Sequence, residues 1–201
     1  MDAIRKILYG GYRSTDSTTA TVLANDTLNG VLVDPADVTL TPGTAPTPAA
    51  GSITMNADGT ITVAPGTTAG TYTYPYEICE ITNPTNCDTA TVTVTVEAPV
   101  IDAVAETFPP INGYDGGVTT TVLGSDTLNG APVDPNDVTI TVIASDPELV
   151  LDPVTGLITV ASGTAAGTYT VEYTICEDLN PTNCDTVVET VVVQAPVIDA
   201  V

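Results

Sequence analysis

Four cysteines form two pairs with the same spacing. Cys79 and Cys87 are separated by seven residues, as are Cys176 and Cys184, and each pair brackets the turn sequence Asn-Pro-Thr-Asn. Folding that turn as a hairpin places the two cysteines of a pair opposite each other, at disulfide distance. The spacing predicts one disulfide in each half of the chain, with reduced thiols as the alternative, and disulfides imply an oxidising compartment. A zinc site is disfavoured because the chain has neither a C-x-x-C spacing nor a histidine.

Carboxylates are the second set of side chains that could do chemistry. Asp26 recurs as Asp126, and Asp102 lies near Glu97 where the two halves of the chain meet. Calcium takes about six to eight oxygen ligands, and acids at a junction are suitable donors. We therefore predict a calcium site at the junction from these four residues, and no other cofactor. The alternative is that they are solvated surface acids, since the chain has no Asp-x-Asp-x-Asp-Gly loop.

Four threonines follow an aspartate and precede an apolar residue: Thr27, Thr89, Thr127 and Thr186. This pattern resembles the O-glycosylation acceptor motif of exported Bacteroidota proteins, and the resemblance implies a sugar on these hydroxyls. Chance is the alternative, because the chain is rich in both Asp and Thr.

The charge balance excludes several classes of function. The chain has 25 acidic and 3 basic residues, for a formal charge of -22, and all the basic residues, Arg5, Lys6 and Arg13, lie near the start. Nothing is available to neutralise phosphates, so nucleic acid is not expected as a partner. Without histidine, a Ser-His-Asp or Cys-His catalytic arrangement is impossible, and we expect no enzyme. No apolar run approaches the roughly 18 residues of a membrane span, so membrane insertion is not expected.

The chain repeats itself. Thr27-Leu28-Asn29-Gly30 recurs 100 positions later, and CEITNPTNCD from Cys79 recurs 97 positions later as CEDLNPTNCD. The repetition predicts a first repeat over 1–101, a second over 102–198, and the start of a third at 199–201. The first repeat has an atypical opening segment and first strand over residues 1–13.

Short alternating segments predict β-strands, and no segment has a helical period. Asn29-Gly30 predicts a two-residue hairpin. Val92, Val94 and Val96 are expected to face a core, while Pro75 suggests an edge or a bulge. The predicted strands of the first repeat are Thr19–Leu23, Val38–Thr41, Ser52–Met55, Thr60–Val63, Gly70–Cys79 and Cys87–Val96. The pattern predicts an all-β chain of two tandem immunoglobulin-like β-sandwich domains with about seven strands each.

Several motifs resemble those of a known class of repeats. TVLANDT at 21–27 with its echo at 121–127, DGTITV at 58–63 and the Cys79–Asp88 segment resemble the bacterial Ig-like and cadherin-like tandem repeats of giant surface adhesins and extracellular filaments. They are most similar to gliding-adhesin and other type IX-exported arrays of Bacteroidota. The resemblance implies export to the cell surface, sandwich-shaped beads and an extended stalk or adhesive thread. The chain departs from calcium-rich relatives at Leu28-Asn29-Gly30, where those have Asp-x-Asp-Gly.

Two functions fit these observations. The first is a non-catalytic structural spacer in a long extracellular filament or cell-surface adhesin, whose partners are other repeats of the same chain. A variant has identical chains associating into a multi-chain fibre, through the strands ending at Val96 and Val193 and through the segment Ile4–Leu8. The alternative is an adhesive module that recognises a glycan or a protein on another surface, through the loop Pro42–Ser52 or a threonine-rich sheet face.

Overall fold

The computed structural model describes residues 5–9 and 17–200, with the backbone alone at 5–9 and at Ser17. The described residues form β-strands and one 3-10 turn, Val22–Asn25. The chain divides into two compact units, Met1–Pro99 (unit 1) and Val100–Val201 (unit 2). The predicted fold class, all-β with immunoglobulin-like sandwiches, is confirmed. Most of the predicted opening segment, including Arg13 and Ile4, lies outside the described residues, as does Val201.

The described part of unit 1 contains seven main strands and a small hairpin. In chain order the strands are β1 (Arg5–Tyr9), β2 (Ser17–Thr18), β3 (Thr27–Leu28), β4 (Val31–Leu32), β5 (Val38–Pro42), β6 (Ile53–Met55), β7 (Ile61–Val63), β8 (Gly70–Glu80) and β9 (Cys87–Glu97). One sheet has the order β1-β9-β8-β5 and a second has the order β2-β7-β6. Strands β3 and β4 form the separate hairpin. Strand β1 pairs with β9 in parallel, and the other pairs are antiparallel.

The two sheets of unit 1 enclose a core that the period-2 patterns predict. Val92, Val94 and Val96 of β9 are buried as expected, and they pack with buried residues of β6, β7 and β8. The alternate threonines of β9 lie on the other face of the sheet. Asn29 and Gly30 both have positive φ, 53° and 77°, as the predicted hairpin requires.

The strand predicted over Thr19–Leu23 is wrong. Strand β2 ends at Thr18, and the 3-10 turn begins at Val22. The Thr21 side chain explains the difference, because its hydroxyl accepts the Leu23 N–H at 3.3 Å and donates to the Asp58 carbonyl at 2.8 Å. Such local side-chain bonds offer the backbone an alternative to a strand ladder.

Unit 2 has the same plan, except that a third short strand joins its small hairpin. Its strands are β10 (Ile101–Asp102), β11 (Ile111–Asn112), β12 (Gly117–Thr121), β13 (Thr127–Leu128), β14 (Ala131–Pro132), β15 (Val138–Ser145), β16 (Leu149–Leu151), β17 (Leu157–Val160), β18 (Gly167–Glu177) and β19 (Cys184–Gln194). The sheets have the orders β11-β19-β18-β15, β12-β17-β16 and β10-β13-β14. Tyr173, Ile175 and Val191 are fully buried at the centre of its core.

Pro75 lies in a central strand, so its predicted position at an edge or a bulge is wrong. Strand β8 lies between β9 and β5, and its register with β9 is continuous. The Glu80 N–H donates to the Asn86 carbonyl, on the side of β9. Because the N–H and C=O groups of successive residues point to opposite sides of a strand, those of the odd-numbered residues of β8 point toward β5. Strand β5 ends at Pro42, opposite Tyr76, and the missing N–H of Pro75 therefore interrupts no ladder. The Pro75 carbonyl still accepts the Gly43 N–H at 2.9 Å.

The strand beside the Pro75 position differs in length between the two units. In unit 2 this position is Glu172, which pairs with Ala144, and β15 continues to Ser145. Unit 1 instead has a ten-residue segment without strand, 43–52, between β5 and β6. Unit 2 has only residues 146–148 between β15 and β16.

Candidate functional site

Both cysteine pairs are disulfide-bonded in the structure. Cys79 and Cys87 are directly opposite each other at the ends of β8 and β9, with their Cα atoms 4.1 Å apart. Cys176 and Cys184 occupy the same place on β18 and β19, also with Cα atoms 4.1 Å apart. Opposite positions of this kind bring side chains closest in an antiparallel ladder. Each disulfide therefore closes the hairpin that the Asn-Pro-Thr-Asn sequence turns.

A glutamate after the first cysteine organises each hairpin loop. The Glu80 carboxylate accepts the Nδ2 groups of Asn83 and Asn86, at 2.7 and 3.0 Å. In unit 2, Glu177 Oε2 accepts the Nδ2 groups of Asn180 and Asn183, at 2.8 and 3.0 Å. The two asparagines of the Asn-Pro-Thr-Asn sequence thus form hydrogen bonds within their own loop. Glu177 is 2 % exposed, so its bonds are shielded from water.

Asp26 is bound to a tyrosine in unit 1. The Tyr76 hydroxyl lies 3.1 and 3.0 Å from the two Asp26 carboxylate oxygens and donates to them. Burial raises the pKa of Asp26, while the hydroxyl lowers it. Burial and the negative Asp26 raise the pKa of Tyr76. This pair ties the start of β3 to β8.

The matching place in unit 2 contains a second acid. Asp126, Glu189 and Tyr173 are all fully buried there. The Tyr173 hydroxyl donates to the Val122 carbonyl at 2.9 Å and lies 3.4 Å from Glu189 Oε1. Asp126 Oδ2 is buried without a hydrogen-bond partner. Unit 2 therefore buries two carboxyl groups around one tyrosine, whereas unit 1 has Val92 at the position of Glu189.

These acids bind the backbone of the segment that enters unit 2. We call Ala103–Glu106 the arm, and it belongs to no strand. The Val104 N–H donates to Asp126 Oδ1 at 2.7 Å, and the Glu106 N–H donates to Glu189 Oε2 at 2.9 Å. The Ala103 N–H donates to Asp185 Oδ2 at 2.9 Å. In return the Glu106 carboxylate accepts the Ser125 N–H and, at 3.1 Å, the Ser125 hydroxyl.

Of the four residues predicted to bind calcium, Asp26 and Glu97 lie in unit 1, and Asp102 and Asp126 lie in unit 2. Asp26 is bound to Tyr76, Asp126 is bound to Val104, and Asp102 is exposed next to its ladder partner Thr127. Among the described residues, the one group of three potential ligands within 4.8 Å of one another is Glu77, Cys79 and Cys87. Its cysteines form a disulfide and cannot bind as thiolates. The calcium site predicted at the junction, with Glu97, stays a prediction.

The predicted glycosylation positions differ in access. Thr27, Thr89 and Thr186 are exposed, and Thr127 is half-buried. The Asp88 carboxylate accepts the Thr89 N–H at 2.9 Å, and Asp185 does the same for Thr186. The Thr186 hydroxyl also shares a 2.6 Å hydrogen bond with the Thr174 hydroxyl. The sugar itself stays a prediction.

Reasoning from sequence missed the acid cluster of unit 2. The signal was present, because Glu189 has the same parity along β19 as the core residues Val191 and Val193. A charged residue on the core face of a strand requires a partner. The partner, the Glu106 N–H, lies 83 positions away in the chain, and no local pattern indicates it.

One family model matches the chain. Residues 11–95 match the bacterial Ig domain family, which agrees with the sandwich of unit 1. No curated protein sequence matches the chain significantly. Within the described residues, no helix is long and apolar enough to cross a membrane.

Solved structures of cadherin repeats are similar to the chain. Human protocadherin-24 EC1-2 is 17% identical, with a TM-score of 0.36, over 79% of this chain and 82% of that one. Mouse protocadherin-24 EC1-3 is 15% identical, with a TM-score of 0.35, over 94% and 68%. Protocadherin gamma B2 extracellular cadherin domains 3–6 are 12% identical, with a TM-score of 0.38, over 94% and 51%. The chain thus spans about half the length of the last of these.

Proposed function

We propose that the chain consists of structural spacer repeats of a long extracellular filament or cell-surface adhesin and has no catalytic role. The observation that carries the proposal is the recurrence of one sandwich plan with one disulfide-closed hairpin, Cys79–Cys87 and Cys176–Cys184. A covalent staple in a small β-sandwich is typical of secreted modules. The repeat boundaries after 101 and 198, and export by a Bacteroidota system, belong to this proposal.

The use that each unit makes of its polar groups supports a structural role. The buried Asp126 and Glu189 bind backbone N–H groups, the half-buried Asp26 binds a tyrosine, and the loop asparagines bind the glutamate of their own hairpin. Side chains whose polar groups form such internal hydrogen bonds stabilise the fold. A spacer needs rigidity of this kind and needs no reactive group.

Association of identical chains into a fibre is a variant of this proposal. Strand β1 pairs in parallel with the end of β9 over five residues, from Arg5 opposite Thr93 to Tyr9 opposite Glu97. Strand addition at a sheet edge is a general mode of association. The β1 segment of a second copy has the same sequence and can pair with this edge of β9 in the same way.

Electron microscopy of the native assembly tests the spacer proposal. A strand of 11 residues is roughly 3.6 nm long, so a string of these units is expected to show a bead spacing of roughly 3–4 nm. A thick symmetric fibre with several beads in each layer would favour the multi-chain variant. Compact particles without any linear repeat would contradict both.

A binding module is the second candidate, and one structural difference favours it. The segment 43–52 of unit 1 is longer than its counterpart in unit 2, residues 143–148, and loops that differ between copies of one scaffold commonly carry recognition. Glycan-array binding by the chain tests this candidate. The matched control replaces 43–52 by residues 143–148, which connect the same ladder positions in unit 2, and equal binding by both proteins would contradict a role for the loop.

A further inference from the structure

One seven-residue sequence occurs twice in the chain, in two different environments. The sequence APVIDAV occupies 98–104 and again 195–201, in each case directly after a long strand, β9 or β19. In the first copy, Ile101 packs in the core of unit 2 and is 9 % exposed. The same isoleucine of the second copy, Ile198, is 90 % exposed. Residues 195–200 thus present to solvent a sequence that completes a sandwich elsewhere in the chain.

Unit 2 shows how this sequence is bound. Strand β10 pairs with the outer edge of β13, where Ile101 lies opposite Leu128. The Val100 N–H donates to Asn129 Oδ1 at 2.9 Å, and the Asn129 N–H donates to the Val100 carbonyl at 2.7 Å. Neighbouring side chains of a strand face opposite sides, and Val100 accordingly is 70 % exposed. The segment is therefore recognised by backbone pairing and by one buried isoleucine.

Unit 1 has the same acceptor residues at the matching edge. Among the residues that the structure describes, β3 pairs with β4 alone, whereas β13 has a strand on each side. The unit 1 counterparts of residues 102–104, residues 2–4, lie outside the described residues. Four acceptor residues are identical in the two units: Asp26, Leu28, Asn29 and Asp88 correspond to Asp126, Leu128, Asn129 and Asp185.

The side chains along this edge are more exposed in unit 1 than in unit 2. Three residue types are half-buried in the first unit and buried in the second: Asp26, Leu28 and Val33 against Asp126, Leu128 and Val133. Ile101 belongs to the same buried cluster as Leu128 and Val133. An added strand that contributes one isoleucine produces a difference of this kind. An unpaired edge with accessible apolar side chains is a template for such a strand.

The order of the chain indicates which segment fits this edge. The sequence that leaves unit 1 after β9 completes unit 2, the next unit along the chain. The identical sequence that leaves unit 2 after β19 is by the same rule matched to a unit that follows, and not to the unit before it. Unit 1 of a second copy has the residues that bind this sequence, so a second copy provides the matching acceptor.

We propose that residues 195–200 of one copy add as a strand to β3 in unit 1 of a second copy, with Ile198 buried against Leu28. Val197 then pairs with Asn29, as Val100 pairs with Asn129 in unit 2. Unit 1 of the second copy takes the place of the third repeat predicted at 199–201.

This contact joins unlike surfaces of the two copies. Head-to-tail contacts of this kind continue from copy to copy, into an open filament or a closed ring. The proposal goes beyond the spacer function, which requires no contact between copies. It also uses a different edge from the one that β1 pairs with, the edge of β9.

Residue-resolved NMR on the full chain tests the contact. The amides of Leu28 and Asn29 are expected to shift as the protein concentration rises from about 10 µM to about 1 mM, the range in which a small interface binds. Because every copy has a formal charge of -22, the titration is made in about 1 M sodium chloride, where the Debye length is about 3 Å. Sedimentation of the same samples is expected to show complexes that grow with concentration.

Two neighbouring substitutions provide a matched pair. Ile198→Asp places a charge where the isoleucine must be buried, and it is expected to weaken the association at least about tenfold. Val197→Asp adds the same charge at the outward-facing neighbour and is expected to retain the association. Both residues are at least 90 % exposed and lie in no strand, so both variants are expected to fold.

A substitution on the acceptor side tests the same contact from the other partner. Asn29→Gly preserves the positive φ of the turn and removes the Oδ1 acceptor, so it is expected to weaken the association several-fold. Asn129→Gly is the matched control, because Val100 of the same chain occupies that position, and it is expected to leave the association unchanged.

Three results would overturn the proposal. The first is a chain that stays monomeric, without a shift at Leu28, up to about 1 mM. The second is equal association of the wild type and Ile198→Asp, which would mean that the copies meet through another surface such as β1. The third is a Leu28 amide that differs between these two proteins at every concentration without association, which would mean that the segment returns to unit 1 of its own chain. None of these results alters the bead spacing that tests the spacer proposal.

Discussion

Removal of one disulfide gives a sharp test of how the hairpins contribute to stability. The perturbation is the double replacement Cys79→Ser with Cys87→Ser in unit 1. Both cysteines lie at the ends of long, fully paired strands, and the hairpin keeps its Glu80 to Asn83 and Asn86 bonds. The native fold is therefore expected to persist, and the change acts mainly on the unfolded chain.

The size of the effect follows from the length of the closed loop. The two cysteines are 8 positions apart. The chain-entropy relation for a loop of this size gives about 2.5 kcal/mol of lost unfolding free energy. For a unit of about 100 residues, this corresponds to a fall in Tm of roughly 10–20 °C.

Unit 2 provides the matched control. Cys176 and Cys184 are also 8 positions apart and occupy the same place in the fold. If loop entropy is the cause, Cys176→Ser with Cys184→Ser lowers the stability of unit 2 by the same amount.

Residue-resolved denaturant unfolding by NMR measures both changes in the full chain. The amides of Val94 and Val191, both fully buried, report on unit 1 and unit 2. A loss under about 1 kcal/mol, or losses differing between the units by more than about 1 kcal/mol, would refute the entropic account, because equal loops carry equal entropy.

Two further pairs of substitutions test other features of the fold by the same unfolding measurement. Gly130→Ala, at φ +74° with open space around it, is expected to lower the stability of unit 2 by about 1–2 kcal/mol through backbone strain alone. Gly156→Ala, at φ +68° and with a Cβ only 2.5 Å from Thr121 Oγ1, is expected to cost about 1–3 kcal/mol more, and equal losses would contradict the close approach. Glu177→Gln is expected to cost about 2 kcal/mol, because the buried carboxylate accepts two amide hydrogen bonds. Glu80→Gln, whose bonds are exposed to water, is expected to cost less, and the reverse order would contradict the role assigned to burial.

Short-range patterns predicted most of the architecture. The alternation of apolar and polar residues along β9 predicted its core face, Asn29-Gly30 predicted a hairpin, and the cysteine spacing predicted two disulfide-closed hairpins. Each of these features depends on residues close together in the chain, where the period of the strand and the φ demands of a turn act directly.

The errors came from positions where a partner outside the segment decides the result. Thr21 ends a strand pattern because its hydroxyl reaches Asp58, on the loop between β6 and β7. Pro75 is tolerated in a central strand because the neighbouring strand β5 ends beside it. Neither partner can be identified from the segment that contains the residue.

By itself, the sequence determined the all-β class, the repetition and the cysteine pairs, because all three follow from periodicity and spacing along the chain. Only the tertiary structure decided that Glu189 is buried, that it meets Tyr173 and Asp126, and that these acids hold the arm. The physical reason is that Glu106 and Glu189 are 83 positions apart. Their contact exists only after packing has brought the arm against β19 and has excluded water from the Glu189 carboxyl group.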